Sequence, residues 1–157
     1  MSERILIPLD GSKVGEVALR YVEGLVSRLS PGEKVEVILF HVITALRHDV
    51  AISGGGAGTI TIPYNENELE QMKNKAVDYL TKAGDSLKSK GAIVSCKVVA
   101  GSTPAEEIIK AEEEVSADLV AMSTHGRAGV SRWAFGSVTD RVLRAGKVPV
   151  LMVRARQ

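Results

Sequence analysis

The sequence predicts a single α/β domain, a three-layer α/β/α sandwich with a five-stranded parallel sheet at its centre. Apolar runs of strand length alternate with segments of helical periodicity along all 157 residues, and this alternation favours a parallel sheet with helices on both faces. The apolar runs are continuous, which is typical of strands that are covered on both faces. No repeat, linker or low-complexity segment divides the chain.

The composition is that of a globular protein, with 45% hydrophobic and 25% charged residues. A formal net charge of +1 gives no bulk attraction to nucleic acid or to an acidic membrane. No apolar run approaches the roughly 20 residues of a membrane helix, and the N-terminal residues lack the layout of a signal peptide. Cys96 is the single cysteine, so an internal disulfide is excluded. We expect a cytoplasmic protein without nucleic-acid or membrane partners.

The first two strands and the helix between them are clear in the sequence. Residues 4–9 form a β-branched run that predicts a buried strand, and Asp10 opens the turn that follows it. Apolar side chains then recur at steps of three and four over residues 14–29, which predicts a helix. Residues 35–42 give the second strand. Because a helix connects the two strands, they should be parallel with a right-handed crossover.

Residues 44–63 are the least regular part of the chain, and we predict a flexible insertion there. The segment contains the glycine-rich run SGGGAG at 53–58. No Lys-Ser/Thr pair follows this run, as a phosphate-binding Walker loop would require. We therefore interpret the run as part of a mobile insertion, and a lid or a partner contact remains a hypothesis for it.

The second half of the chain begins with a long helix. Asn65 and Glu68 have the spacing of a capping box at its start, and Gly91 is a suitable residue for its end. Residues 92–99 alternate between apolar and polar side chains more than the other strands do. This pattern predicts an edge strand.

The last helices and strands complete the alternation. Thr103 and Pro104 are typical of a helix start, and we interpret the acidic run at 112–114 as the solvated face of that helix. Residues 119–122 form a short buried run, and residues 148–153 form the final strand. The chain thus predicts five strands and four helices.

The stretch at 123–137, STHGRAGVSRWAFGS, lies between the fourth strand and the last helix. A strand, a glycine-bearing loop and a helix start in this order are typical of an anion site. The unpartnered N–H groups and the dipole of the new helix attract phosphate, and Arg127 and Arg132 add positive charge. Ser137 and Asp140 also have the spacing of a helix cap. The spacing alone therefore leaves a phosphate site and a capped structural loop equally open.

This stretch resembles the signature of the universal stress protein family, which is Gly, two residues, Gly, nine residues, Gly, then Ser or Thr. Ser123 stands in the first Gly position, Gly126 is the second, and Gly136 with Ser137 closes the pattern after nine intervening residues. In the family, this signature is typical of the branch that binds ATP. The resemblance extends over the whole chain, through PLDGS after the first strand, FHVI after the second and KVPVLMV at the end of the chain.

The resemblance implies a fold of the adenine nucleotide alpha hydrolase-like type, with the strand order 3-2-1-4-5. ATP would lie in the crevice at the carboxyl ends of the strands, where the winding reverses, and topology rules place a ligand there independently. The resemblance also implies a homodimer formed through the C-terminal strand, residues 148–153. It leaves open whether Mg²⁺ or Mn²⁺ accompanies the phosphates.

Carried over residue by residue, the ATP contacts of the family fall at the strand ends, in the glycine loop and at the start of the last helix. The strand ends would hold the base and ribose, and the loop and helix start would hold the phosphates. These residues are Pro8, Leu9, Asp10, Val42, Met122, Ser123, Thr124, His125, Gly126, Arg127, Ala128, Gly129, Gly136, Ser137, Val138 and Thr139.

Several of these residues also have a purely structural interpretation. Asp10 is either a ligand-binding carboxylate or a helix cap that acts with Ser12. His125 either touches phosphate or only orients the loop. We interpret Trp133 and Phe135 as side chains that anchor the loop to the core.

The function implied is that of a stress-response protein in which bound ATP sets conformation or partner choice. The chain has no Walker Lys-Ser/Thr pair, and the spacing shows no general base near the loop, so we assign no catalytic and no metal-binding residue. The alternatives are a slow ATPase or autophosphorylating enzyme, and an interaction protein that binds no nucleotide. AMP, ADP or cyclic AMP as the ligand also remains open.

Overall fold

The computed structural model of this chain describes residues 2–29, 32–44, 46–52, 54, 58–124 and 136–155. Predictions made for the loop at 125–135 lie outside the described residues, as do those for most of the glycine run at 53–58. The loop predictions concern His125, Gly126, Arg127, Ala128, Gly129, Arg132, Trp133 and Phe135.

The described residues form seven strands and five helices. In chain order these are β1 (Ser2–Pro8), α1 (Glu16–Arg28), β2 (Lys34–Ile43), β3 (Arg47–Ile52), β4 (Gly58–Pro63), α2 (Glu66–Ala83), α3 (Asp85–Ser89), β5 (Ile93–Ala100), α4 (Pro104–Glu114), β6 (Leu119–Thr124), α5 (Ser137–Ala145) and β7 (Val150–Arg154). Across these ranges, no helix is both long and apolar enough to cross a membrane.

Five of the strands form one parallel sheet in the order β5-β2-β1-β6-β7. Numbered along the chain within this sheet, the order is 3-2-1-4-5. The predicted sheet, its strand order and the position of residues 92–99 at an edge are therefore confirmed. Because β1 connects to β2 on one side and lies beside β6 on the other, the winding reverses between β1 and β6.

The sheet separates two apolar cores. Ile5 and Ile7 of β1 point to the side of α1, α2 and α3, whereas Leu6 points to the side of α4 and α5. All three side chains are buried, and each contributes about 1.5–3 kcal/mol by leaving water. Burial on both faces is why β1 reads as a continuous apolar run, and it confirms the predicted three-layer architecture.

Residues 47–63, inside the predicted insertion, contain two strands that the sequence analysis did not predict. β3 and β4 pair antiparallel, with Val50 opposite Ile60. The Oγ1 of Thr61 donates a hydrogen bond of 2.6 Å to the Oδ1 of Asp49 across the pair. The alternation of threonine and isoleucine at 59–62 is the signal for this pair. The flexibility of the segment stays a prediction.

The long helix that was predicted to run to Gly91 is interrupted at Gly84, which separates α2 from α3. A Cβ atom at Gly84 would lie 2.8 Å from the Cγ1 of Val94 on β5, so the backbone passes too close to the sheet for a side chain. The predicted capping box at the start of α2 is present, with Glu68 N–H donating to the Oδ1 of Asn65 at 2.8 Å.

Two other predicted caps differ from the structure. Thr103 occupies the N-cap of α4, yet its side chain makes no capping hydrogen bond within the described residues. The N-cap of α5 is Gly136, which has no side chain, and Ser137 is the first helical residue. The alternative in which Ser137 caps the last helix is therefore wrong.

The prediction that the acidic run at 112–114 forms the solvated face of α4 is wrong at Glu112, which is buried. It lies one helical turn after the buried Ile108, and its own exposure is only 2%. The Oε2 of Glu112 accepts a hydrogen bond of 3.3 Å from the N–H of Lys147, whereas Oε1 has no partner in the part of the chain that the structure describes. Burial raises the pKa of the Glu112 carboxyl. Glu113 remains exposed and pairs with the Nζ of Lys147 at 2.9 Å.

We predict that Glu112→Gln stabilises the protein at high pH. Because the folded-state pKa is raised above its ordinary value of 4.5, stability that is fully present below that value is lost as pH rises through the folded-state pKa. Glutamine keeps an acceptor without the charge. We expect Tm at pH 8 to rise by about 2–4 °C, and the gain to be smaller at pH 4, as measured by thermal denaturation.

Glu113→Gln is the matched control, because its carboxylate is exposed. It should change Tm little at either pH. A loss of stability in Glu112→Gln that is larger at pH 8 than at pH 4 would contradict the account, since it would mean that the ionised carboxylate stabilises the fold.

Candidate functional site

A cavity of about 710 Å³ opens at the carboxyl ends of β1, β2 and β6. Its volume is typical of small-molecule sites, which occupy roughly 300–1,000 Å³. It lies where the winding of the sheet reverses, and open α/β sheets bind their ligands at this point. Helices from both faces of the sheet line the cavity, so that a ligand in it would lie across the edge of the sheet.

The cavity brings together ten of the sixteen residues that the family resemblance assigned to ATP. These ten are Pro8, Leu9, Asp10, Val42, Met122, Ser123, Gly136, Ser137, Val138 and Thr139. Thr124 is not among the described residues of the lining, and its carbonyl accepts a hydrogen bond of 3.3 Å from the N–H of Ala155. The remaining five, at 125–129, lie outside the described residues.

Helix α2 contributes a wall of the cavity that the sequence analysis missed. Met72, Lys75, Ala76 and Tyr79 follow one another at helical spacing and face the cavity together. Met72, Ala76 and Tyr79 recur at steps of three and four, a spacing that is typical of any helix with one apolar face. The same periodicity serves a helix that packs on a core and a helix that lines a pocket, so the sequence offered no signal to separate the two.

Asp10 forms the turn between β1 and α1 and also lines the cavity. Its Oδ1 accepts hydrogen bonds from the N–H of Ser12 at 2.9 Å and from the hydroxyl of Ser12 at 2.5 Å. Gly11 between them has a φ of 86°, a conformation that glycine adopts without strain. The alternative in which Asp10 and Ser12 cap the helix is wrong, because the N-cap of α1 is Gly15. The two side chains instead hold the turn, with the carboxylate at the edge of the cavity.

Ser123 links the end of β6 to the start of α1. Its Oγ accepts a hydrogen bond of 2.8 Å from the N–H of Ala18 and donates one of 3.1 Å to the carbonyl of Gly15. The side chain at the first glycine position of the signature is therefore turned toward α1.

Two hydrogen bonds fix polar side chains beside Asp10. His41 Nδ1 lies 2.7 Å from the carbonyl of Leu9. Because a carbonyl only accepts, Nδ1 carries a proton in this contact. The Tyr79 hydroxyl donates to the Oε1 of Glu16 at 2.9 Å. Burial, followed by this hydrogen bond, raises the pKa of Tyr79, so the phenol stays protonated.

The start of α5 lies at the cavity. Gly136 is the N-cap, and the helix begins when its carbonyl accepts a hydrogen bond of 2.9 Å from the N–H of Asp140. The N–H groups of the first turn have no partner within a helix, and the helix dipole places partial positive charge there. Because Ser137, Val138 and Thr139 line the cavity, this end suits a phosphate group.

Together, the sheet and the cavity define a doubly wound α/β protein with a ligand crevice at its switch point. The model of the universal stress protein family matches residues 1–154. The chain belongs to the universal stress protein family, as the glycine stretch predicted.

The relatives cover the whole chain. Universal stress protein MJ0577 of Methanocaldococcus jannaschii is 31% identical over 164 aligned positions, which include 99% of this chain and 97% of the relative. Universal stress protein YxiE of Bacillus subtilis is 25% identical and covers 98% of this chain, with 100% of the relative aligned. The solved structure of MJ0577 has a TM-score of 0.71 at 28% identity, over 99% of this chain and 97% of that one.

Two other solved structures share the fold and contain an adenine nucleotide. A universal stress protein in complex with cAMP has a TM-score of 0.59 at 22% identity, and the alignment covers 98% of each chain. The universal stress protein of Archaeoglobus fulgidus in complex with dAMP has a TM-score of 0.60 at 19% identity, again over 98% of each chain.

We predict that Gly15→Ala destabilises the turn that holds Asp10. A Cβ atom at Gly15 would lie 2.9 Å from the Oδ1 of Asp10, so the carboxylate must move away from Ser12. We expect a loss of about 1 kcal/mol in the free energy of unfolding, measured by chemical denaturation.

Gly24→Ala is the matched control in the same helix. A Cβ atom there meets only the Nη1 of Arg28, at 3.8 Å, so alanine should stabilise the helix by about 0.5–1 kcal/mol. Equal stabilisation by both substitutions would show that Asp10 is not held against Gly15.

Proposed function

We propose that this universal stress protein binds ATP in the cavity at the ends of β1, β2 and β6, and that the bound nucleotide sets its conformation or its choice of partner. The observation that carries the proposal is one cavity that is lined both by a carboxylate held in a turn and by the N-terminus of a helix. Asp10 lies at the β1 end of this cavity and Ser137 begins the helix on the β6 side. A nucleotide carries ribose hydroxyls toward one end and phosphates at the other, which matches a carboxylate at one end of the cavity and a helix N-terminus at the other.

The base and ribose belong near the strand ends. Val42 and Met122 offer apolar side chains to the cavity, and an adenine ring loses its contact with water when it packs on such surfaces. The carboxylate of Asp10 is an acceptor, and the two hydroxyls of a ribose are donors. The adenine ligands cAMP and dAMP of the two structural neighbours support the choice of base.

The phosphates belong to the other end of the cavity. The N–H groups at the start of α5 and the main chain of the glycine loop would hold them, with Arg127 and Arg132 adding charge. Mg²⁺ or Mn²⁺ would arrive bound to the phosphates. Within the described residues, no group of three or more His, Cys, Asp or Glu side chains forms a metal site, and Mg²⁺ is commonly bound through phosphates and water.

The test is a titration of nucleotide-free protein with ATP, ADP, AMP, cyclic AMP and GTP by calorimetry. We expect saturable binding of one ATP per chain and weaker binding of GTP. Gly126→Val should reduce ATP affinity at least about tenfold, because a β-branched side chain fills space that the phosphates need. Gly24→Ala should bind ATP as the wild type does. Wild-type affinity in folded Gly126→Val would contradict the placement of the phosphates.

A second property follows from β7, which is an edge strand of the main sheet. We propose that residues 148–153 pair with the same strand of another copy to form a homodimer, since half-buried apolar side chains from Val150 to Val153 lie along an edge with unpaired backbone groups. Sedimentation equilibrium should give the dimer mass. A monomer mass at every protein concentration would exclude this dimer.

A further inference from the structure

Helix α1 begins without a side-chain cap of its own. Gly15 is its N-cap and has no side chain to accept a hydrogen bond from the first turn. Such a helix start leaves N–H groups that require partners from elsewhere. A serine at the N-cap normally supplies this partner by accepting from the second or third N–H of the helix.

Ser123 supplies that cap from a distance of 105 residues in sequence. It accepts from Ala18, which provides the third N–H of α1, and it donates to the carbonyl of Gly15. The Ser123 hydroxyl therefore acts both as a hydrogen-bond acceptor and as a hydrogen-bond donor. Ser123 is at the same time half-buried in the wall of the cavity.

The position of this link matters because the backbone pairing between β1 and β6 is short. The two strands are paired only at Ile5 with Leu119 and at Leu6 with Val120. By contrast, β1 pairs with β2 along its whole length, from Ser2 to Pro8. Within the part of the chain that the structure describes, the ladder between β1 and β6 therefore ends before the level of the cavity.

We propose that Ser123 is a positioning residue for the nucleotide, which sets the separation between the two halves of its site. The inference rests on the proposed function. Ser123 holds Gly15, the N–H of Gly15 donates to the Oγ of Ser12 at 3.0 Å, and Ser12 holds Asp10. Three successive contacts thus connect the end of β6, where the phosphate loop begins, to the carboxylate assigned to the ribose.

A positioning role differs from a purely structural cap in what it does to ligands of different length. Adenosine reaches only the half of the site near Asp10, whereas ATP must contact both halves at once. Loss of the contact between Ser123 and α1 should therefore weaken the binding of ATP more than the binding of adenosine. A cap that only stabilises α1 would lower the stability of the protein and leave the ratio of the two affinities unchanged.

The experiment compares wild type, Ser123→Ala, Ser123→Thr and Ser27→Ala. Thr retains the hydroxyl at a strand position that suits a β-branched residue. Ser27 is a matched control on α1, because its Oγ donates only to the carbonyl of Glu23 within the same helix. Calorimetry gives the affinities for adenosine and ATP, and amide hydrogen exchange reports on the N–H of Ala18.

In Ser123→Ala we expect the Ala18 amide to exchange about fivefold faster, as for the loss of a cap. We expect ATP affinity to fall by a similar factor of about five and adenosine affinity by less than twofold. Ser123→Thr should restore both readouts, and Ser27→Ala should match the wild type.

Two results would overturn the inference while leaving the proposed function in place. One is faster exchange at Ala18 with unchanged ATP affinity in Ser123→Ala. The other is an equal loss of affinity for adenosine and ATP. If wild type binds no ATP, the proposed function and this inference fail together, and the wild-type titration identifies that case before any variant is compared.

Discussion

The end of the ladder between β1 and β6 below the cavity is the constraint on which the site depends. The last pair of this ladder is Leu6 with Val120, although β1 continues to Pro8 and β6 to Thr124. Beyond that point, the turn at Asp10 belongs to one side of the crevice and the start of α5 to the other. The apolar cores on the two faces hold the sheet rigid below the opening. The fold thus provides an edge where groups from distant parts of the chain face one ligand.

Main-chain dipoles, rather than net charge, are what the start of α5 offers to an anion. The chain carries a formal charge of only +1, and several of its described lysines and arginines are paired with acidic side chains, as Lys97 is with Glu114 at 2.7 Å. The first-turn residues of α5, Ser137, Val138 and Thr139, line the cavity, and a helix start of this kind favours an anion whatever the bulk charge is. Under the proposed function, the site would discriminate by its shape and by the position of its donors.

The sequence predicted the features that follow from burial on both faces of a sheet. The continuous run at 4–9 marks a covered strand, and the glycine stretch at 123–137 marks the family, from which the strand order and ten of the described lining residues follow. The β3–β4 pair is exposed and therefore has no continuous apolar run. Its signal is only the short alternation of threonine and isoleucine at 59–62. The burial of Glu112 and the cavity wall at Met72 and Tyr79 depend on how helices pack against neighbours, which helical periodicity does not encode.

The most direct test of the account is to identify what the purified protein carries. The protein is denatured, the polypeptide is removed, and the released small molecules are identified by chromatography and mass. The account predicts ATP at close to one molecule per chain. Release of ADP or AMP would show turnover or a different ligand, and would contradict a role for ATP as a stable bound effector. A protein that releases no nucleotide and binds none on titration would contradict the central claim and leave only the fold.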